Sequence, residues 1–162
     1  MIFVGIDLGL TGALASLGAP RGPELMDLPR AELFGQPVLD VIALRQLMRF
    51  VVPAPEAGLV VVEDVRVRSA LSGRNTAHSS ETKLMRMRGH VEALVLLLGL
   101  RLEVVQPQVW KRHFGLLKAE KGASLALAAE LHPWAATDLQ RVKDHNRAEA
   151  LLLAHYARGR WA

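Results

Sequence analysis

The chain opens with a short apolar run that ends on a carboxylate. Ile2, Phe3, Val4 and Ile6 favour extended backbone, glycines bound the run, and Asp7 stands at its end. Residues 2–7 therefore read as a buried strand. Gly9 and Gly12 fit a tight turn that returns residues 13–17 as the second strand of a hairpin. Residues 18–37 are rich in proline and glycine, with a third short strand expected near 24–28 and a loop after it. Residues 38–52 place apolar side chains at 38, 41, 42, 44, 47, 48 and 51, a helical stripe that Pro53 and Pro55 stop. Residues 58–64 are apolar up to Glu63 and Asp64 and read as a strand covered on both faces. A helix precedes them, so a parallel crossover is expected.

Residues 66–78 lack periodicity and are expected to form a mobile loop. Helical patterning returns at 80–98, with Gly99 as its stop. A strand at 102–106, a helical turn at 107–114, a loop at 118–122, a helix at 123–131 and a last helix at 146–156 follow. In the long helix Leu84, Met87, Val91, Leu94 and Leu98 are spaced 3, 4, 3, 4, a heptad seam. Met85, Gly89, Ala93 and Leu96 form a second, weakly polar face. One face can cover the sheet while the other meets a partner, and a dimer interface is expected at Leu84, Met87, Val91 and Leu94. The competing reading is a helix simply buried in its own domain. The order of elements predicts an α/β fold: one domain over residues 1–162, with a mixed sheet and helices on both faces.

Composition narrows the chemistry. Just over half of the 162 residues are hydrophobic, enough for one core, and the absence of cysteine excludes disulfides and thiolate metal sites. No signal peptide and no apolar run long enough to span a bilayer is evident, so a soluble intracellular protein is expected, with no membrane partner. Residues 1–64 hold 4 Lys/Arg against 8 Asp/Glu, a net of −4, and residues 65–162 hold 16 against 8, a net of +8. A basic second part suits a polyanionic partner, although a solvated basic face has the same signature.

Asp7 and Glu63 each end an apolar strand, and parallel neighbours bring such ends to one edge of a sheet, where sites form. The third acidic cluster is Asp144-His145-Asn146-Arg147-Ala148-Glu149. His145 and Asn146, four and three residues before Glu149, can share its helix face. Asp144 reaches the same place only from the helix start. Carboxylates gathered from separate elements repel unless cations join them, and a pair of Mg²⁺ or Mn²⁺ ions would do so while activating water for phosphodiester cleavage. The bland alternatives are a Glu63–arginine pair, a helix cap at Asp144 and a solvated Glu149.

These stretches resemble the RuvC-like Holliday junction resolvases, particularly their short bacteriophage branch. Gly5-Ile6-Asp7-Leu8-Gly9-Leu10-Thr11-Gly12 is similar to the family's first-strand motif, and Val62-Glu63-Asp64-Val65 to its second. Pro107-Gln108-Val109-Trp110-Lys111 with Lys121 is similar to its proline–lysine region, and Arg147-Ala148-Glu149-Ala150-Leu151-Leu152 to its last acidic helix. The resemblance covers nearly the whole chain in order. It implies an RNase H-like fold with a five-stranded mixed sheet, and a homodimer that nicks four-way DNA junctions with divalent metal and no nucleotide cofactor. Carried over, Asp7, Glu63, Asp144 and Glu149 are the catalytic, metal-binding acids. Where the family often has an acid three residues before the last one, this chain has Asn146, which makes Asp144 the expected fourth ligand and His145 its rival. Lys111, Lys118 and Lys121 would lie near junction phosphates, joined by Arg66, Arg68, Arg74 and Arg112. Trp110 reads as a core anchor in preference to a base-stacking residue. Three other functions stay open: an actin-like ATP-binding domain, a junction-binding protein without nuclease activity, and a nuclease of the same fold acting on flaps or RNA–DNA hybrids.

Overall fold

The computed structural model describes residues 1–64, 75–120 and 122–162, and of residues 75–80 the backbone alone. Five strands form one sheet: β1 (Ile2–Asp7), β2 (Ala13–Leu17), β3 (Glu24–Asp27), β6 (Gly58–Glu63) and β7 (Arg101–Val105). Their order is β3-β2-β1-β6-β7. β1 pairs antiparallel with β2, and β2 with β3, whereas β1–β6 and β6–β7 are parallel. The expected mixed sheet is present, with the parallel crossover between β1 and β6.

Between β3 and the first helix the structure departs from the expected loop. β4 (Arg30–Leu33) and β5 (Gln36–Leu39) form a separate two-stranded hairpin. Helix α1 (Val41–Val51) accordingly starts later than the apolar stripe suggests. Asp40 caps it, its carboxylate accepting from the Ala43 amide at 2.9 Å. Pro37 is compatible with β5 because a two-stranded ribbon leaves an unpaired edge where its missing N–H costs nothing. The remaining helices are α2 (Asn75–Leu97), α3 (Pro107–His113), α4 (Ala123–Leu131) and α5 (His145–Trp161), with 3₁₀ turns at Pro133–Leu139 and Val142–Asp144. Gly99, at φ 70, ends α2 in the left-handed conformation.

Alternation along the strands divides the interior in two. Ile2, Val4, Ile6, Val60 and Val62 face a core closed by Leu44 and Met48 of α1 and by α2. Phe3, Leu59 and Val61 face a second core closed by Trp110 of α3 and the alanine- and leucine-rich side of α5. The period of two puts Asp7 and Glu63 on this second face.

The heptad seam of α2 is not an interface. Met87, Val91 and Leu94 are buried in the first core and Leu84 packs against it, because α2 covers that face of the sheet together with α1. The exposed side of α2 carries Met85, Gly89, Ala93 and Leu96 instead.

Candidate active site

One glycine sets the distance between sheet and helix. A Cβ at Gly5 would collide with the Ala150 carbonyl and the Ala154 amide, so α5 lies directly on β1 at this point. Ala148, Ala150 and Ala154 keep the facing side of the helix thin and fully buried. Asp7 is two residues beyond Gly5 on the same face, and Glu149 adjoins Ala150. Ile6 stands opposite Val62 in the parallel register, so the next residues along the two strands are Asp7 and Glu63.

The three carboxylates interact. Burial, then the charges of Glu149 and Glu63, pushes the Asp7 carboxyl well above its ordinary value, and Lys111 offsets only part of this. Burial also raises Glu63, against the hydrogen bond it accepts from Trp110. Helix α3 meets both flanking acids with consecutive residues. The Trp110 indole Nε1–H donates to Glu63 Oε2 at 2.9 Å from a fully buried ring. Lys111 Nζ donates to the two Glu149 oxygens at 3.1 and 3.3 Å and lies 4.9 Å from the Trp110 ring centroid. Pro107 opens α3 immediately after β7, which fixes the helix beside the end of β6.

A cleft of about 400 Å³ runs past Lys111 and Glu149, with Leu116, Ala119, Val142 and His145 among its walls. His145 Nδ1 lies 3.1 Å from the Val142 carbonyl. A carbonyl only accepts, so Nδ1 is the donor in this contact and Nε2 is the ring nitrogen left for another partner. A histidine whose one ring N–H is held by a carbonyl can ligate a metal through the other nitrogen.

Asp144 does not join this group, contrary to expectation. Its carboxylate accepts from the Arg141 amide at 2.8 Å and from the Arg141 guanidinium at 2.8 to 3.2 Å. Those bonds hold it below the ordinary carboxylate range. It lines a different depression, with Thr11, Arg30, Lys143 and Arg147. Asp144 belongs to the 3₁₀ turn that precedes α5, and the local bond to Arg141, three residues earlier, turns it from the cleft. Asn146 likewise reaches the β1–β2 turn, donating to Thr11 O at 2.6 Å and Thr11 Oγ1 at 3.0 Å.

Of the basic residues, Lys111 is in the site, and Arg112 and Lys118 are exposed on α3 and on the connection after it. Arg66, Arg68, Arg74 and Lys121 lie outside the described residues. Three contributors escaped sequence reasoning: Gly5 as the close-approach residue, the Trp110 N–H, and the Thr11–Asn146 tie. A glycine inside a strand run is the one signal that was present in advance. Among the described residues no three acidic or histidine side chains converge as a formed ion cage.

No family model matches the sequence, and no curated protein matches it. Solved structures do. The chain is similar to Thermus thermophilus RuvC in complex with a Holliday junction substrate, at 17% identity and a TM-score of 0.53, over 99% of this chain and 97% of that one. A second structure of Thermus thermophilus RuvC matches at 18% identity and a TM-score of 0.52, over 98% and 96%. The shared architecture is the RNase H-like fold.

Proposed function

We propose that this protein is a divalent-metal-dependent endodeoxyribonuclease that resolves four-way DNA junctions, of the short bacteriophage type within the RuvC-like resolvases. The observation that carries this reading is that β1, β6 and α5 bring Asp7, Glu63 and Glu149 within electrostatic reach of one another, with their negative charge incompletely neutralised. Buried carboxylates that raise one another are stabilised by a cation, and hard divalent ions take oxygen ligands. The donor set therefore fits Mg²⁺ or Mn²⁺, probe ions that Asp7, Glu63 and Glu149 would hold, with His145 Nε2 at the rim in the place expected of Asp144. When bound, a pair of such ions supplies an activated water and stabilises the leaving oxygen in phosphodiester hydrolysis.

The chain's own residues do the positioning. The Trp110 N–H fixes one oxygen of Glu63. Lys111 balances Glu149, and its ammonium is available to a phosphate once a cation takes that carboxylate. Arg112 and Lys118 extend the positive surface beside the cleft, and phosphate contacts of this kind set register without reading sequence.

Cleavage of a four-way junction, a flap, a linear duplex and an RNA–DNA hybrid, each with Mg²⁺, Mn²⁺ or EDTA, tests the reading. Symmetric metal-dependent nicks in the junction are expected, with no cutting in EDTA. Preferential cutting of the hybrid, or cutting that survives EDTA, would replace this assignment with another.

A further inference from the structure

The hairpin of β4 and β5 presents an aromatic ring in a place that gives it nothing to pack on. Its two-residue turn is Phe34-Gly35, with φ 51 and 70. Two positive φ values are the mark of the primed hairpin turns, where asparagine followed by glycine is the favoured pair. A bulky non-glycine residue with positive φ is uncommon, and strained backbone of this sort gathers at sites of function. Phe34 is 95% exposed. Neither folding nor turn chemistry therefore explains a phenylalanine here.

The base of the hairpin is firmly held. Leu28 N donates to Gly12 O at 2.9 Å, Asp40 N donates to Pro29 O at 3.0 Å, and Leu39 is buried in the first core. Its place in the fold is fixed by register: Asp7 pairs with Ala13, and Ala13 with Asp27, the last residue of β3. The hairpin thus grows from the same edge of the sheet as Asp7. Four residues per strand carry the tip roughly 13 Å outward.

Cations flank it. On one side Lys83 and Arg86 of α2, with His90 beside them, line a groove against β5 that has no acid among its described lining residues. On the other, Arg30 and Lys143 border the depression that also holds the Arg141–Asp144 and Arg147–Asp27 pairs. A nucleic-acid backbone laid along these flanks would bring its bases over the tip.

We infer that Phe34 is a stacking wedge: it takes the face of an unpaired base where DNA branches, beside the site that cuts. The inference rests on the nuclease reading above and adds a specificity-determining residue to it. Every base offers a π-face, so such a contact selects for unpaired structure and not for sequence.

The decisive variant is Phe34→Asn, which suits the turn better than the native residue. Its melting temperature should equal or exceed the parent's, so that any lost binding is not lost folding. Both proteins would be titrated in EDTA against a four-way junction carrying 2-aminopurine at the branch point, and against a linear duplex. The parent should change the emission of the reporter base, and Phe34→Asn should not. The ratio of junction to duplex affinity should fall on the order of tenfold or more, the usual effect of removing one base–aromatic stack. Equal junction affinity and an unaltered emission change in the variant would overturn the wedge while leaving the nuclease reading intact. So would a dimeric parent that becomes monomeric on Phe34→Asn, since the ring would then dock a second copy of the chain. A parent with no preference for branched DNA would remove the nuclease reading and the wedge together.

Discussion

Burial and the carboxylates of Glu149 and Glu63 hold Asp7 well above its ordinary range. The sign of the consequence is fixed by linkage. Between the ordinary value of about 3.9 and the raised one, the folded chain binds the proton more tightly than the unfolded chain. Stability therefore falls as pH rises through that window, and the deficit is complete above it. Asp7→Asn removes the deficit. In EDTA at neutral pH the variant should melt a few degrees above the parent, at about 2–4 °C per kcal/mol for a domain of this size, and the gap should close as pH falls towards 4. Mg²⁺ should raise the parent's melting temperature and have a smaller effect on the variant, because ligands that bind only the folded state stabilise it. Thermal denaturation across pH, with and without the ion, checks both. A parent that melts above Asp7→Asn at every pH in EDTA would mean that the Asp7 charge is already balanced. Lys111 shows why balance is incomplete: its ammonium is committed to both oxygens of Glu149.

Contact between α5 and β1 is the structural relation on which the site depends. Gly5 permits it, and the buried alanines of α5 answer from the other side. In Gly5→Ala the new methyl meets backbone, which cannot swing away as a side chain would. We expect a loss of roughly 1–3 kcal/mol, the usual cost of overpacking. Because Glu149 adjoins Ala150, the helix that retreats carries the carboxylate with it. A displacement of about 1 Å can cost on the order of a hundredfold in rate. Denaturant unfolding and junction cleavage by the purified variant measure the two effects. Full activity in Gly5→Ala would show that the acids do not depend on this close approach. Helix α3 works in the same sense with less tolerance for error, since Trp110 and Lys111 are consecutive and hold different acids.

At the scale of the whole molecule, one chain carries one set of acids, whereas a four-way junction has two-fold symmetry and needs two incisions. We propose an isologous dimer, the commonest closed arrangement. We place its interface on the exposed face of α2, where Met85, Gly89, Ala93 and Leu96 follow one another at helical spacing. A Cβ at Gly89 meets nothing within 4 Å, so a partner has room to approach. Ala93→Glu changes only an exposed position and should leave stability within about 0.5 kcal/mol. It should give folded monomers that nick a cruciform plasmid without linearising it. Sedimentation and the plasmid assay together decide this. A monomeric parent that linearises the cruciform in one binding event would remove the two-fold reading. No helix among the described residues is long and apolar enough to cross a membrane.

The sequence by itself determined the elements whose apolar period is long or whose ends are marked. Residues 123–131 became α4 with the expected bounds, and β1, β2 and β6 follow their apolar runs. The strand-end positions of Asp7 and Glu63 likewise put them at one edge of the sheet once the strands are parallel neighbours, and Trp110, although it sits in a basic cluster, is the core anchor expected of it. Tertiary structure decided the rest, because the deciding contacts join residues far apart in the chain or pit one local bond against another. The heptad seam of α2 cannot say whether it faces a sheet or a partner, and its burial in the first core, beside β7 and α1, chose the sheet. Asp144 had an acid's chemistry and a plausible position, but Arg141 lies three residues before it and takes its carboxylate. The bonds Trp110–Glu63 and Lys111–Glu149 span 47 and 38 residues, so no local pattern could announce them. The hairpin at 30–39 was hidden by its proline and by a turn whose first residue is phenylalanine in a place where asparagine is the usual signal.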